Sequence, residues 1–290
     1  MTMHNFGGGW TEVKLDRLKQ YLKAYMIILN KHPELTPIYL DAFAGTGSRH
    51  EAQPKSEQLH ADLEANTSPL KGSARIALET EPSFHHFIFV EQKLEFANEL
   101  KKLREEFPHK ASRIRIEQRE ANTFIKNWCA ETNWQRNRAV VFLDPYGGQV
   151  EWSTLEALAK TKAVDLWILF PVGMVVNRLL KGDAQIPKSW ADRLTSIFGT
   201  EGWKNAFYQS QTVATLFGDE EEILKDADFE KIGQFFVKRL KTIFPTVSSK
   251  PLPLRNSKNS PLYMLCFAAA NPSPTVAGAA LRIANYILTR

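Results

Sequence analysis

The chain has 290 residues, which suits about two domains or one large domain with an insertion. Its 43% apolar and 24% charged shares exclude intrinsic disorder, and two cysteines, Cys129 and Cys266, exclude a disulfide scaffold and fit a reducing, cytoplasmic setting. Lys and Arg outnumber Asp and Glu by 37 to 32, an excess that permits an anionic partner without demanding one.

Residues 1–10 are glycine-rich and polar, with no charged segment leading into an apolar one, so no secretory leader is expected. From Thr11, Leu15, Leu18, Leu22, Met26 and Leu29 recur every three or four residues and predict a helix ended by His32-Pro33. Lys14, Arg17, Lys19 and Lys23 are assigned to its other face. Residues 38–41 read as a buried strand running into a glycine turn, and the polar stretch 49–69 as a loop or lid. A helix over 72–80 follows, then a strand over 86–91, a charged helix over 94–107, a strand over 114–119 and a helix over 122–131. Residues 139–143 are a buried strand, 153–160 a helix and 164–170 the next strand. Five strand–helix alternations with near-continuous apolar strands predict an α/β domain on a parallel sheet covered on both faces.

After Pro171 the pattern changes. Residues 177–243 read as a helical insertion, with Trp190, Phe198, Trp203 and Phe207 as a core of its own. Residues 251–255 and 262–269 predict an antiparallel hairpin, and 275–288 a closing helix. The organisation expected is an N-terminal helical segment (1–36), a sheet domain (37–176 and 248–290) and the insertion (177–247). The longest apolar run, 262–270, is far short of the ~20 residues of a membrane span.

Four constellations stand at strand ends, where ligands of open α/β sheets bind. The first is Asp41-Ala42-Phe43-Ala44-Gly45-Thr46-Gly47, a strand entering a two-glycine turn. It lacks the third glycine of a dinucleotide fingerprint, which points away from NAD and toward nucleosides such as S-adenosylmethionine. An ordinary strand–loop turn is the alternative. The second is Glu91, an acid suited to both ribose hydroxyls of a nucleoside, or simply a solvated strand end. The third is Glu120-Ala121-Asn122, which either reaches an adenine edge or caps a helix through Asn122.

The fourth is Asp144-Pro145-Tyr146-Gly147. Pro145 holds Asp144 extended. The Asp144 carboxylate and a neighbouring carbonyl suit the two protons of an exocyclic amine, and Tyr146 offers a ring for a planar base. Lys14, Gly147 and Arg178 are the candidate substrate contacts; Arg178 shares the insertion with Lys181, Lys188, Arg193 and Lys204, which read together as a solvated helix face, with contact to phosphates as the alternative. Cys129 and Cys266 read as packing, His85-His86 as surface and Asp165 as a strand-start acid away from the site. Seven histidines include no H-x-x-x-H pair, so no metal site is expected.

The order of these motifs resembles a class I S-adenosylmethionine-dependent methyltransferase. More narrowly, the chain is similar to the three-Cys-motif partner protein (TcmP) family. The resemblance lies in FGGGWTEVKL (6–15), YLDAFAGTG (39–47), KGSA (71–74), RAVVFLDPYG (138–147), VEW (150–152), DLWILFPVGM (165–174) and IPKSW (186–190), and less distinctively in PLYMLCFA (261–268). It implies a Rossmann-like methyltransferase sheet of order 3-2-1-4-5-7-6, the last strand antiparallel, with the insertion between strands 5 and 6. It also implies a radical-SAM-like partner that bears the named cysteines. Adenine amino-methyltransferases usually carry D-P-P-Y, whereas D-P-Y-G here is closer to the D-P-F-G of tRNA guanine-N2 methyltransferases. The expected activity is methylation of an exocyclic amine of a base in DNA or RNA. The alternatives are a cofactor-binding scaffold without methyl transfer, or a methyltransferase acting on a small molecule or a protein.

Overall fold

The computed structural model describes residues 9–46, 72–182, 184–215 and 218–290, with side chains left undescribed at 213–215 and 218–221. The expected lid over 49–69 and Gly47 of the glycine turn lie outside the described residues.

Helix α1 (Gly9–Leu29) precedes β1 (Thr36–Asp41). Then come α2 (Ser73–Glu79), β2 (His86–Val90), α3 (Leu94–Glu106), β3 (Ile114–Glu117), α4 (Ala121–Glu131), β4 (Asn137–Leu143), α5 (Trp152–Lys160) and β5 (Val164–Phe170). The last strands are β8 (Thr246–Val247), β9 (Leu252–Arg255) and β10 (Pro261–Ala269), closed by α10 (Pro274–Leu288). The sheet order is β3-β2-β1-β4-β5-β10-β8, with β9 also on β10. Strands β1 to β5 pair in parallel, and β10 runs antiparallel to β5, Met264 opposite Phe170. The sixth position is shared: β9 pairs the first half of β10 and β8 its end. The chain therefore has the expected 3-2-1-4-5-7-6 Rossmann-like methyltransferase fold.

Both faces of the sheet are covered, which is why β1, β4 and β5 are apolar nearly throughout. On one face α4 and α5 bury Phe124, Ile125, Trp152 and Leu155 against Leu40, Val141 and Ile168. On the other, α1, α2, α3 and α10 bury Leu18, Leu22, Leu78, Leu100 and Ile287 against Tyr39, Phe87, Val140 and Trp167.

The insertion departs from expectation twice. It holds α6 (Asn177–Leu179), α7 (Lys188–Phe198), α8 (Trp203–Phe207) and α9 (Phe229–Leu240), but also an antiparallel ribbon of β6 (Tyr208–Thr215) and β7 (Gly218–Lys225). Phe198, Trp203 and Phe207 also do not close a separate core. They join the sheet's own cluster, with Phe236 stacked on Phe170 of β5 at 3.9 Å between ring centres. Trp190 stays 37% exposed. A polar, acid-rich stretch from 208 to 225 without strict alternation hides the ribbon from periodicity arguments.

Among the described residues, no helix is long and apolar enough to cross a membrane.

Candidate active site at the carboxyl ends of the strands

Asp144 leaves β4 beside β1, the point from which the chain builds outward in both directions and where ligands of such sheets bind. Its side chain is 26% exposed, and Pro145 beneath it is buried. Tyr146 turns outward, 66% exposed, and Gly147 follows with φ of +99° and donates its N–H to the Pro145 carbonyl. The expected acid, carbonyl and ring thus stand together, with one of the carbonyl's two acceptor positions already used.

The Asp144 carboxylate is held by the ammonium of Lys14. Here the sequence reading is corrected. Lys14 is not on the outer face of α1: it is 3% exposed and lies one turn from Leu18 and two from Tyr21, which face the sheet. The pair with Asp144 and the Trp10 ring, 5.3 Å from Nζ to ring centre, compensate the burial of its charge. Farther along the same face the Tyr21 hydroxyl donates to Asp165 at 2.6 Å, at the start of β5. Helix α1 therefore spans the sheet from the mouth to its opposite end. Its first turn forms a wall of the site.

Tyr263 is the site residue that the sequence reading missed. It is 6% exposed, stacks on Trp10 at 5.2 Å, and burial with the nearby charge of Asp144 pushes its hydroxyl up to about 12. Tyr146 and Arg178 also lie within electrostatic reach of it. Arg178 is exposed on α6, just past the π-helical turn Val172–Val176 that leaves β5. A Cβ on Gly173 in that turn would come 1.9 Å from the Pro261 carbonyl oxygen, so only glycine lets β10 begin there. The signal for Tyr263 was the topology itself: an antiparallel last strand starts at the mouth.

The glycine turn lies on the other side of Asp144. Gly45 has φ of +57°, a conformation natural to glycine, and a Cβ there would meet nothing within 4 Å. Its N–H donates to Glu91 Oε2 at 3.1 Å, while Glu91 Oε1 accepts from the Lys93 N–H at 2.9 Å. The acid thus ties the glycine turn to the end of β2 and stays half-buried. Phe43 is half-buried, Ala44 buried and Thr46 half-buried along this turn.

Asp41 is fully buried at the root of the turn, where it accepts from the Ser73 hydroxyl and the Phe43 N–H. Burial, reinforced by the charge of Asp144, pushes its carboxyl up to about 7; Ser73, Phe43 and Lys14 pull it back. Beside Asp41 and Ser73 the Tyr39 hydroxyl is buried, and burial with the charges of Asp41 and Asp144 raises it well above its usual range.

Glu120 and Asn122 behave differently from the rest. Glu120 caps α4, its carboxylate accepting the N–H groups of Asn122 and Thr123 at 2.8 Å each, and these bonds hold it below the usual carboxylate range against the opposing effect of burial. The cap is Glu120, not Asn122 as the sequence suggested. The Asn122 amide donates to Glu120 and the Gln149 carbonyl and accepts from the Glu151 N–H and the Thr154 hydroxyl. Its four hydrogen-bonding positions are filled by protein, so it ties the β3–α4 turn to the β4–α5 turn and has none left for a ligand. Ala121 is buried between them.

Cys129 and Cys266 are packed thiols pushed up to about 12 by burial, which makes them poor nucleophiles. Among the described residues, no group of three His, Cys, Asp or Glu side chains is arranged to hold a metal ion.

No family model and no curated protein matches the chain. Among solved structures, the chain aligns over 98% of its length with 94% of protein LPL1258 from Legionella pneumophila, at 14% identity and a TM-score of 0.46. It also aligns with an S-adenosylmethionine-dependent methyltransferase from Clostridium acetobutylicum (11% identity, 87% of this chain and 91% of that one, TM-score 0.36). A third is the glycopeptide N-methyltransferase MtfA, solved with S-adenosylhomocysteine (10% identity, 86% and 88%, TM-score 0.34).

Proposed function

We propose that the chain is an S-adenosylmethionine-dependent methyltransferase of the TcmP type that methylates an exocyclic amine of a nucleic-acid base. The observation that carries this reading is Asp144 at the switch point of a 3-2-1-4-5-7-6 sheet, with the exposed Tyr146 ring beside it and the Gly45–Glu91 turn opposite across β1.

The residues present suit the cofactor. Among the described residues nothing crowds Gly45, which suits a ligand against the backbone, and the Glu91 carboxylate retains acceptor capacity for ribose hydroxyls. Asp41, Phe43, Ala44 and Thr46 line the same turn. When bound, S-adenosylmethionine supplies an electrophilic methyl group on a sulfonium. The chain's own task is then to orient the amine. Asp144 accepts one N–H and the remaining lone pair of the Pro145 carbonyl a second, while Tyr146 stacks on the base. Such preorganised acceptors act without reorganisation at the moment of reaction. Lys14 pairs with Asp144 and stays beside it as the amine shares the carboxylate.

A second reading is favoured by that same ion pair, because it leaves the acid engaged: a cofactor-binding scaffold for a radical-SAM-like three-Cys-motif partner, without methyl transfer. One experiment separates the two. Calorimetry measures S-adenosylmethionine and S-adenosylhomocysteine binding, and methyl transfer from labelled cofactor is followed into DNA, RNA and protein pools, with and without the partner. Binding with transfer to nucleic acid supports the first reading; binding without transfer to any pool supports the second; no binding by folded protein rejects both. Glu91→Ala weakens cofactor binding roughly ten- to a hundredfold, the usual worth of hydrogen bonds to a charged group.

A further inference from the structure

The opposite end of the sheet carries a second concavity. An open cleft of about 290 Å³ is lined by Ile38, His86, Ile88, Ser112, Arg113, Ile114 and Arg115. It lies where β3 ends the sheet. Its floor is apolar, with Ile38 and Ile88 both 5% exposed, and its rim is cationic. The Arg113 guanidinium is fixed there by the Phe84 carbonyl at 3.1 Å. Arg115 lies over the Phe124 ring at 5.5 Å and pairs with Glu117, whose carboxylate also meets Arg119. His86 is held below its usual range by burial and by the positive charges of His85 and Arg113. Two arginines thus supply the positive charge of the cleft, with His86 beside them and Glu117 as the carboxylate that the ion pairs bring to its edge.

We propose that this cleft binds a phosphate group of a single-stranded nucleic acid, away from the Asp144 site and on the same molecule. Gathered positive charge with fixed guanidinium groups is what a phosphate contact requires, and the apolar floor accepts a sugar or base edge. The strand β2 between His86 and Glu91 spans about 17 Å at about 3.3 Å per residue, so a strand that reaches both ends crosses several nucleotides. The inference rests on the nucleic-acid reading of substrate class and is independent of methyl transfer.

The test measures anisotropy of a labelled single-stranded RNA 16-mer across a salt series, with adenosine monophosphate and inorganic phosphate as competitors. The variants are Arg115→Gln, His86→Gln and their combination, with Lys241→Gln on the insertion as a surface-charge control. Arg115→Gln is expected to weaken oligonucleotide binding about three- to tenfold at low salt and to reduce the salt slope by roughly 0.7, the value for one lost phosphate contact on a single strand. The control leaves both unchanged, and cofactor binding by calorimetry stays at the wild-type value. An unchanged affinity and slope in the double variant overturns the proposal. So does oligonucleotide binding too weak to detect in the wild-type chain. Arg115-dependent binding of adenosine monophosphate alone assigns the cleft to free nucleotides and overturns the strand reading. None of these outcomes touches the cofactor result, so failure here is distinguishable from failure of the methyltransferase reading.

Discussion

Asp144 and Asp41 carry opposite burdens within one turn of the sheet. Asp144 is partly exposed and paired with an ammonium; Asp41 is buried, and its acceptors meet a hydroxyl and an N–H, with no cation bonded to it among the described residues. Asp144→Asn keeps the size and one acceptor but presents a donor to the amine. Methyl transfer is expected to fall at least ~100-fold with cofactor binding retained. The same change leaves Lys14 without its anion and lowers stability by about 1–3 kcal/mol. Pairing it with Lys14→Met recovers the stability and not the activity, which denaturant melts and turnover assays distinguish. Asp41 predicts a pH dependence. Its folded pKa, about 7, lies above the unfolded value near 3.8, so between them the native state binds the extra proton. Stability contributed by that protonated form is full below about pH 4 and is lost as pH rises through about 7. Melting temperatures of wild type minus Asp41→Asn, taken from pH 4 to 8, are expected to fall across that window; a flat difference rejects the buried proton.

At the scale of elements, α4 and its preceding turn are held by side chains and not by a ligand. Glu120→Ala removes a cap and is expected to cost about 1 kcal/mol. Asn122→Ala strands several buried groups at once and costs more, about 2–4 kcal/mol, since each unpaired buried polar group is worth about 1–3. Chemical denaturation gives both values, and the ranking reverses if Asn122 serves a ligand instead of the fold. Helix α4 itself was legible because Phe124, Ile125 and Trp128 repeat at helical spacing; what its first residues do was not, since Glu120 and Asn122 offer the same atoms to a backbone N–H and to a nucleoside. Helix α1 shows the opposite case. Its apolar stripe was read correctly, yet Lys14 was put on the outer face, because a lysine in sequence does not reveal that a partner carboxylate 130 residues away compensates its burial. The parallel strands were legible, β1, β2, β4 and β5 from their near-continuous apolar runs and β3 from its alternation. Tyr263 and the shared β8–β9 position were not, since both depend on which strand an antiparallel partner meets and in what register.

The whole molecule is expected to unfold as one unit even though its sequence divides at 177 and 247. Phe170 of β5 stacks on Phe236 of α9 and meets Phe198 of α7 at 5.9 Å between ring centres, so the insertion and the sheet share a layer. Trp152 of α5 adds a second link, its ring lying 4.6 Å from the Arg239 guanidinium, which itself bonds the Phe198 carbonyl. Between folding units joined this way, neither side keeps a complete apolar face when the other is removed. Phe236→Ala removes a ring that is 1% exposed and stacked on the sheet, and the expected cost is about 3–5 kcal/mol. If sheet and insertion are one cooperative unit, that cost appears as a shift in midpoint with an unchanged slope of the denaturant transition. Tryptophan emission, which reports Trp167 within β5 as well as Trp203 in α8, and far-ultraviolet dichroism must then give coincident curves. Two separated transitions in the variant, with the sheet surviving after the insertion has melted, would show that residues 177–247 fold on their own despite the shared aromatic layer.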